Sequence, residues 1–173
     1  MQNHTITLTP KPLTAEAFTA FGDVISEASA SNQFLINEDN TTRYHDLADV
    51  QVGDGKAIIS IFAAKPFQAD GVVHLMECHP LGSQAFFPLH QQEYLVIVAP
   101  KGEFAPELVE CFHVKGNQGV NFHTGVWHHY CTTLTAPASF LVIDRKGEGH
   151  NLQEVFLRDY PMALQVDLSG LTL

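Results

Sequence analysis

Tyr94-Leu-Val-Ile-Val-Ala99 is a very apolar run that Pro100-Lys-Gly102 brings to an end. Further runs of five to seven residues, mostly apolar or β-branched, occupy residues 57–63, 72–77, 109–114 and 140–144. Turn signals rich in Gly, Pro, Asn and Asp separate these runs, and no long helical period lies between them. The pattern therefore favours antiparallel β structure over a parallel α/β fold. It predicts a sandwich or a small jelly-roll barrel whose inward side chains enclose a pocket.

One short helix is expected near the N-terminus, within residues 13–22. Thr14 is suited to the N-cap and Gly22 to the C-terminal end, while Phe18 and Phe21 would face the core. The chain shows neither an internal repeat nor a linker long enough to divide it. A single domain spanning residues 1–173 is expected, since 173 residues suffice for one buried core.

The charge of the chain limits its partners. Nine Lys and Arg against nineteen Asp and Glu give a formal net charge of -10, which disfavours binding to nucleic acid and to anionic membranes. An anionic substrate would need a local cation, and the arginines are few: Arg43, Arg145 and Arg158. Three cysteines without CxxC spacing are expected to be reduced, and the N-terminus shows no secretory pattern, so cytoplasmic residence is predicted.

The segment Asn121-Phe-His-Thr-Gly-Val-Trp-His-His129 contains three histidines within nine residues. Burying three imidazoles without polar partners is costly, so the cluster indicates a functional site. In the plainer interpretation, Trp127 and His129 are packing residues and only one histidine is functional.

Other polar candidates lie on or beside the predicted strands. Alternation along residues 72–79 places Glu77 and His79 on one face and His74 on the other, so His74 and His79 cannot both point inward. Glu93 opens the Tyr94–Ala99 run, either as a solvated edge residue or as a ligand or acid/base group aimed into the barrel.

The block Arg43-Tyr-His-Asp46 combines a cation, a phenol, an imidazole and a carboxylate, and Arg43 could hold an anionic substrate in bidentate fashion. A solvated loop is the alternative. Asp144-Arg145 is a second possible anion clamp, with a structural salt bridge favoured there. GxSxG, phosphate-loop and HExxH motifs are absent from the sequence, which leaves acid/base or metal-assisted chemistry.

Taken together, these segments resemble the ureidoglycolate lyase family of the cupin superfamily. The resemblance covers most of the chain up to about residue 145 and rests on the following segments, in the family's order: Arg43-Tyr-His-Asp-Leu-Ala48, His79-Pro-Leu-Gly-Ser-Gln-Ala-Phe86, Glu93, Gly119-Val-Asn-Phe-His123, Val126-Trp-His-His129 and Phe140-Leu-Val-Ile-Asp-Arg145. It implies a cupin-type antiparallel β-barrel, or jelly roll, with a short N-terminal helix.

The cupin motifs match only in part. His128 occupies the usual metal-ligand position of the second motif, and His123 replaces its proline. The His-x-His pair of the first motif is absent, with Gln84-Ala-Phe86 in its place, and Glu93 corresponds to the motif's glutamate. If a divalent metal such as Ni, Zn or Mn is bound, the resemblance implies His128, Glu93, Gln84 and His79 as its ligands, although Gln is a weak ligand for transition metals.

The family's activity implies a lyase that cleaves (S)-ureidoglycolate to glyoxylate and urea in allantoin and purine degradation. Such a reaction needs a base, an acid and a cation for the substrate carboxylate. The roles implied are Arg43 as carboxylate clamp, His123, His128 and Glu93 for the proton transfers, and Tyr44, Gln84 and Asn121 for orienting the substrate. A small carboxylate is thus the expected partner, and a homodimer is expected through edge strands.

Two functions of other classes stay open at the level of the sequence. The same barrel could bind a small carboxylate or sugar without turnover, or it could serve a sugar isomerase or epimerase.

Overall fold

The structure is a computed structural model that describes residues 4–171. The remaining residues, 1–3 and 172–173, are the two ends of the expected single domain and lie outside the described part. Within residues 4–171 none of the helices is long and apolar enough to cross a bilayer.

The described chain is built almost entirely from β-strands. The strands are β1 His4–Leu8, β2 Lys11–Pro12, β3 Gly22–Ile25, β4 Gln33–Ile36, β5 Thr41–Tyr44, β6 Lys56–Ala64, β7 Val72–Val73, β8 Leu75–Cys78, β9 Gln84–Pro88, β10 Tyr94–Ala99, β11 Glu110–Val114, β12 Gly119–Phe122, β13 Trp127–His128, β14 Thr132–Thr133, β15 Ala138–Lys146, β16 Gln153–Phe156 and β17 Met162–Val166. One α-helix, α1 Ala15–Phe18, and three 3-10 turns, Glu27–Ser29, Pro106–Leu108 and Leu157–Asp159, complete the described elements.

The apolar runs fall where strands were predicted. Strands β6, β10, β11 and β15 cover four of the five runs. The run at residues 72–77 is divided into β7 and β8 by the exposed His74. Val73 and Met76 are three residues apart, so strict alternation would place their side chains on opposite faces, yet both are buried. The interruption at His74 shifts the alternation of β8 by one residue relative to β7.

Two sheets face each other across the main core. Sheet one has the order β16-β8-β13-β10-β11-β2, and sheet two has the order β3-β12-β9-β15-β6. The pairs within them are antiparallel except β11–β2. Val98 and Phe112 of sheet one pack with Phe86, Phe140 and Val142 of sheet two, which fixes the sheets in place.

A second core lies on the opposite face of sheet one. There Leu95 and Ile97 of β10 pack with Leu8 and Leu164, which belong to the small sheet β1-β17-β7. Strand β10 is therefore covered on both faces, and this explains why its sequence is continuously apolar rather than alternating.

The expected mainly β, antiparallel fold with a short N-terminal helix is confirmed, but the barrel is open. β6 ends sheet two and β16 ends sheet one, and within residues 4–171 these two strands do not pair with each other. The inward positions along this seam include two polar residues, Ser60, which is half-buried, and Glu154, which is exposed. The edge of sheet two at this seam therefore combines polar positions with the apolar Phe62, which packs against Phe86 with ring centroids 5.6 Å apart.

The helix is shorter than expected. Thr14 caps it as predicted, because its hydroxyl accepts a hydrogen bond from the Ala17 amide at 3.2 Å. Phe18 and Phe21 are buried in the core. Gly22 does not end the helix but starts β3 with φ +151, where an added Cβ would lie 1.8 Å from the Asn121 carbonyl oxygen. This glycine is required by the close approach of β3 to β12.

Candidate functional site

His128 points into the space between the two sheets. It pairs with Val98 on one side and Glu77 on the other, and residues paired in this way project from the same face of a sheet. Only 1% of the His128 residue is exposed. Its ring stacks on Phe122 of sheet two, with centroids 4.3 Å apart and planes inclined by 4°. This stack orients the imidazole from the opposite sheet.

Glu77, His79 and His128 form one cluster of side chains of the kinds that can bind a metal ion. Each contributes one donor atom, and these atoms all lie within 4.8 Å of one another. Oε1 of Glu77 is 3.9 Å from Nδ1 of His128, and the two imidazole centroids are 5.2 Å apart. Glu77 and His79 lie two residues apart at the end of β8, so alternation places both on the inward face, as the sequence predicted.

Burial keeps His128 neutral. It lowers the pKa of the imidazole to about 3, and the nearby His79 adds to the effect. Nδ1 lies 3.2 Å from the carbonyl oxygen of His129, to which its proton is donated. Nε2 then carries the lone pair, and this buried nitrogen has no hydrogen-bond partner among the described residues. An unpaired lone pair in a buried position is available to a ligand.

His79 is held between two oxygen atoms. Its Nδ1–H donates to the Asn151 carbonyl at 2.8 Å, and its Nε2 lies 3.1 Å from Oε1 of Gln84. In the neutral imidazole Nε2 is then an acceptor, and two facing acceptors repel unless a proton or another cation lies between them. A 180° rotation of the Gln84 amide, so that its NH₂ donates to Nε2, is the alternative.

Glu77 holds its proton more tightly than an ordinary glutamate. Burial raises the pKa of its carboxyl group, and the neighbouring Glu154 adds to the rise while His79 opposes it. One fifth of the side chain remains exposed, with 20% of its surface accessible. Glu77 is therefore suited to exchanging a proton between this cluster and a ligand.

A second network lies on the outer face of sheet two. Asn121 donates to Oδ2 of Asp23 and to the Asp49 carbonyl, each at 2.9 Å. His123 Nε2 is 2.9 Å from the same Asp23 oxygen. Burial alone would raise the pKa of Asp23, but the hydrogen bonds from Asn121, the Asp49 amide and His123 outweigh it and lower the pKa. Asp23 is thus a stable carboxylate that anchors the imidazole of His123.

The outer network is joined to the inner cluster through the backbone. The turn after His123 is connected to the inner cluster because the Gly125 amide donates a hydrogen bond to the His79 carbonyl at 2.9 Å. The Thr124 amide donates to the side chain of Gln51 at 3.0 Å. The His123 side chain, however, points away from the space that contains His128. Phe122, the residue between Asn121 and His123, is the one that faces inward.

The structure does not group Glu93 with His128, which corrects the expected ligand set. Tyr94, the neighbour of Glu93, pairs with Thr133, whereas His128 pairs with Val98, so Glu93 lies at the opposite end of β10. Its carboxylate contacts His113 at 2.6 Å and Lys115 at 2.9 Å on the surface. The physical reason is the strand's length, since the five residue steps from Glu93 to Val98 span roughly 16 Å of extended chain.

Arg43 and Tyr44 lie on the β4–β5 hairpin, apart from sheets one and two. Arg43 is exposed, and its guanidinium carbon lies 5.9 Å from the ring centroid of Phe34. Tyr44 lines an open groove of about 1000 Å³ near Lys115, and the charge of Glu27 raises the pKa of its phenol. Neither residue contacts the inner cluster.

The remaining candidates have structural partners. Arg145 donates to Asp54 at 2.6 Å and to the Val52 carbonyl at 3.0 Å, so it has a structural role as favoured from the sequence, but its ionic partner is Asp54 and not Asp144. Trp127 is buried in the second core and donates to the Gly102 carbonyl at 2.9 Å. His129 is 4% exposed, and its ring packs edge-on against Phe67.

Sequence reasoning did not select Glu77 or Asp23 as site residues. The signal for Glu77 was its position two residues before His79 on one strand, which puts both side chains on the inward face. Asp23 gave no signal, because its partners Asn121 and His123 are about 100 positions away in sequence. Only the pairing of β3 with β12 brings them together.

The amino-acid sequence of the chain is similar to that of known proteins. Residues 5–165 match the family model described as ureidoglycolate lyase. A ureidoglycolate lyase of Stutzerimonas stutzeri (strain A1501) is 49% identical over 156 residues, which is 88% of this chain and 91% of that protein. One from Pseudomonas entomophila (strain L48) is 47% identical over 162 residues, covering 91% of this chain and 96% of the relative. The chain therefore belongs to the ureidoglycolate lyase family.

Proposed function

We propose that this protein cleaves ureidoglycolate to glyoxylate and urea, and that the reaction takes place between the two sheets, at Glu77, His79 and His128. The observation that carries the proposal is this buried cluster, with the unpaired Nε2 of His128, in a chain of the ureidoglycolate lyase family. The relatives are named for ureidoglycolate, and the same substrate is proposed for this chain, as a small carboxylate formed in the breakdown of allantoin and purines.

In the absence of a bound metal ion, the proton transfers are assigned to Glu77. The hydroxyl group and the departing urea nitrogen are bonded to the same carbon, so one carboxyl group can take the proton from the former and deliver it to the latter. The raised pKa of Glu77 favours such an exchange. His128 is a weak proton carrier because its pKa is about 3. His123 is bound to Asp23 on the outer face and is assigned to positioning the 123–125 turn.

The donor set fits a divalent metal ion. Two imidazoles and a carboxylate are ligands that Ni, Zn and Mn accept, and His128 Nε2 is a buried lone pair without a partner. The 3.1 Å approach of the Gln84 oxygen to His79 Nε2 suits two acceptors that share a cation. Glu77, His79 and His128 would hold the ion, with Gln84 beside them. When bound, the ion supplies positive charge for the substrate carboxylate and favours loss of the hydroxyl proton.

We also propose that two copies associate through the outer face of sheet two. Alternation places Ile59, Ile61, Leu141 and Ile143 on this face, and Ile59 and Ile61 are 71% and 57% exposed. Ile59 and Ile61 lie on β6, an edge strand whose outer side is unpaired within the described chain. An apolar face beside a free strand edge is typical of a symmetric dimer contact. The dimer is proposed to act in the cytoplasm, where such small metabolites are processed.

The proposal is tested with purified protein and ureidoglycolate. Urea and glyoxylate should appear in equal amounts without ammonia, since no step of the lyase reaction hydrolyses the urea group. Ammonia release would indicate a hydrolase instead, and binding without turnover would indicate a module that only recognises the carboxylate.

A further inference from the structure

Asp144 has a buried carboxylate oxygen that the structure leaves without a partner. Its Oδ1 is buried and accepts no hydrogen bond from any described residue. Burying a charged oxygen unpaired is unfavourable, so such an atom in a native fold calls for an explanation. We propose that Asp144 binds the ureido group of the substrate by accepting hydrogen bonds from its N–H groups. This inference rests on the function proposed above.

The strand register places Asp144 on the inward face of sheet two. Phe140 and Val142 on the same strand are fully buried in the main core, and Asp144 follows them with the same alternation. Ile143 pairs with Ala85, so Asp144 lies one position further, beside Gln84. Asp144 is therefore the neighbour of a residue that already contacts the cluster.

A row of inward side chains crosses sheet two at this level. Phe122 pairs with Gln84, Asp144 comes next, and Ile58 of the edge strand β6 follows it at the seam. Phe122 stacks on His128, and Gln84 approaches His79. Asp144 thus lies in this row between Gln84 and Ile58, one strand inside the seam. It does not belong to the group of donor atoms formed by Glu77, His79 and His128, so it is free to contact the ligand rather than a metal.

The charge of Asp144 is not neutralised by the arginine next to it in sequence. Arg145 points to the other face, where it donates to Asp54 and to the Val52 carbonyl. An ionised carboxylate only accepts hydrogen bonds. It would repel the carboxylate of the substrate and attract its N–H groups. Asp144 would therefore orient the molecule, with the ureido end toward β15 and the carboxylate end toward His79 and His128.

The test compares two ligands that each lack one part of the substrate. N-carbamoylglycine has the carboxylate and the ureido group, whereas glycolate has the carboxylate and the hydroxyl. Binding of both is measured by calorimetry for the wild type, Asp144→Asn and Asp144→Ala, with the exposed Glu148→Gln as a charge-matched control. We expect both Asp144 variants to bind N-carbamoylglycine at least tenfold more weakly and glycolate within twofold of the wild type, and the control to change neither.

A melting curve supplies a second readout. Asp144→Asn replaces a carboxylate whose Oδ1 is buried without a partner, so its melting temperature should equal or exceed that of the wild type, as expected for a residue kept for binding. Equal loss of both ligands, no loss of either, or a large drop in melting temperature in both variants would overturn the inference. A wild type that binds N-carbamoylglycine through Asp144 but does not cleave ureidoglycolate would refute the proposed function alone.

Discussion

The side-chain amide of Gln84 meets the imidazole of His79 at 3.1 Å, and this contact joins the two sheets of the open barrel. Gln84 begins β9 of sheet two, whereas His79 directly follows β8 of sheet one. The stack of Phe122 on His128 spans the same gap. The inner site therefore depends on the packing of both sheets, and no single strand contains it.

Glu77→Gln should abolish metal retention. Loss of the only carboxylate in the donor set should reduce metal affinity by about a hundredfold or more. The variant and the wild type are loaded with Ni, Zn or Mn, dialysed and subjected to elemental analysis. Glu93→Gln is the matched control, because Glu93 pairs with Lys115 on the surface. Metal lost from the Glu93 variant and kept by the Glu77 variant would contradict the assignment.

Acid should destabilise the protein already below pH 6.5, partly through His129. Burial lowers the pKa of His129 to about 4, whereas the unfolded chain binds this proton near the ordinary value of 6.5. The unfolded state then holds more protons, so stability falls as the pH drops through this window. His129→Leu should flatten the decline. Urea unfolding at pH 7, 6 and 5 measures the free energy of unfolding of both proteins. An equal decrease of this free energy with falling pH in the wild type and the variant would exclude the effect.

Gly22→Ala should destabilise the fold strongly. The new Cβ would lie 1.8 Å from the Asn121 carbonyl oxygen, so β3 and β12 must separate. The expected cost is about 3 kcal/mol or more, as for severe overpacking. Gly170→Ala is the control, because nothing lies within 4 Å of its added Cβ. Thermal melts compare the two, and a similar small change in both would show that the strands can move apart freely.

Much of this fold could be predicted because its strands are marked by hydrophobicity and turns. The apolar runs predicted β10 and β15, and the hydroxyl of Thr14 predicted the start of the helix. The break at His74 was not foreseen, because it compensates a change of phase that becomes visible only when Val73 and Met76 pack together. Local sequence patterns contain no information of this kind.

The site was predictable only where one strand contains both residues. Alternation correctly placed Glu77 beside His79, and the cupin-like turn correctly placed His128 inward. The choice of Glu93 rather than Glu77 followed from motif order, and it failed as a grouping because β10 carries Glu93 to the other end of the sheet. Contacts that cross between sheets, such as Gln84 with His79, depend on packing that the sequence does not display.

Charging the outer face of β6 should separate the proposed dimer. Ile59→Lys combined with Ile61→Lys places two positive charges on each apolar face, and two such faces would repel. Sedimentation velocity should then show a monomer, while the wild type sediments as a dimer. Leu108→Lys, at a residue that is 52% exposed elsewhere, should leave the dimer intact. A wild-type monomer, or a dimer unaffected by the double change, would contradict the interface.

The most direct test of the inner site compares His128→Asn with His123→Asn in the cleavage of ureidoglycolate. His128 belongs to the buried cluster, whereas His123 binds Asp23 on the outer face. We expect kcat/KM to fall by at least about a hundredfold for His128→Asn and to stay within about threefold of the wild type for His123→Asn. The reverse pattern, a hundredfold loss for His123→Asn with His128→Asn nearly unchanged, would move the reaction to the outer network and contradict this account.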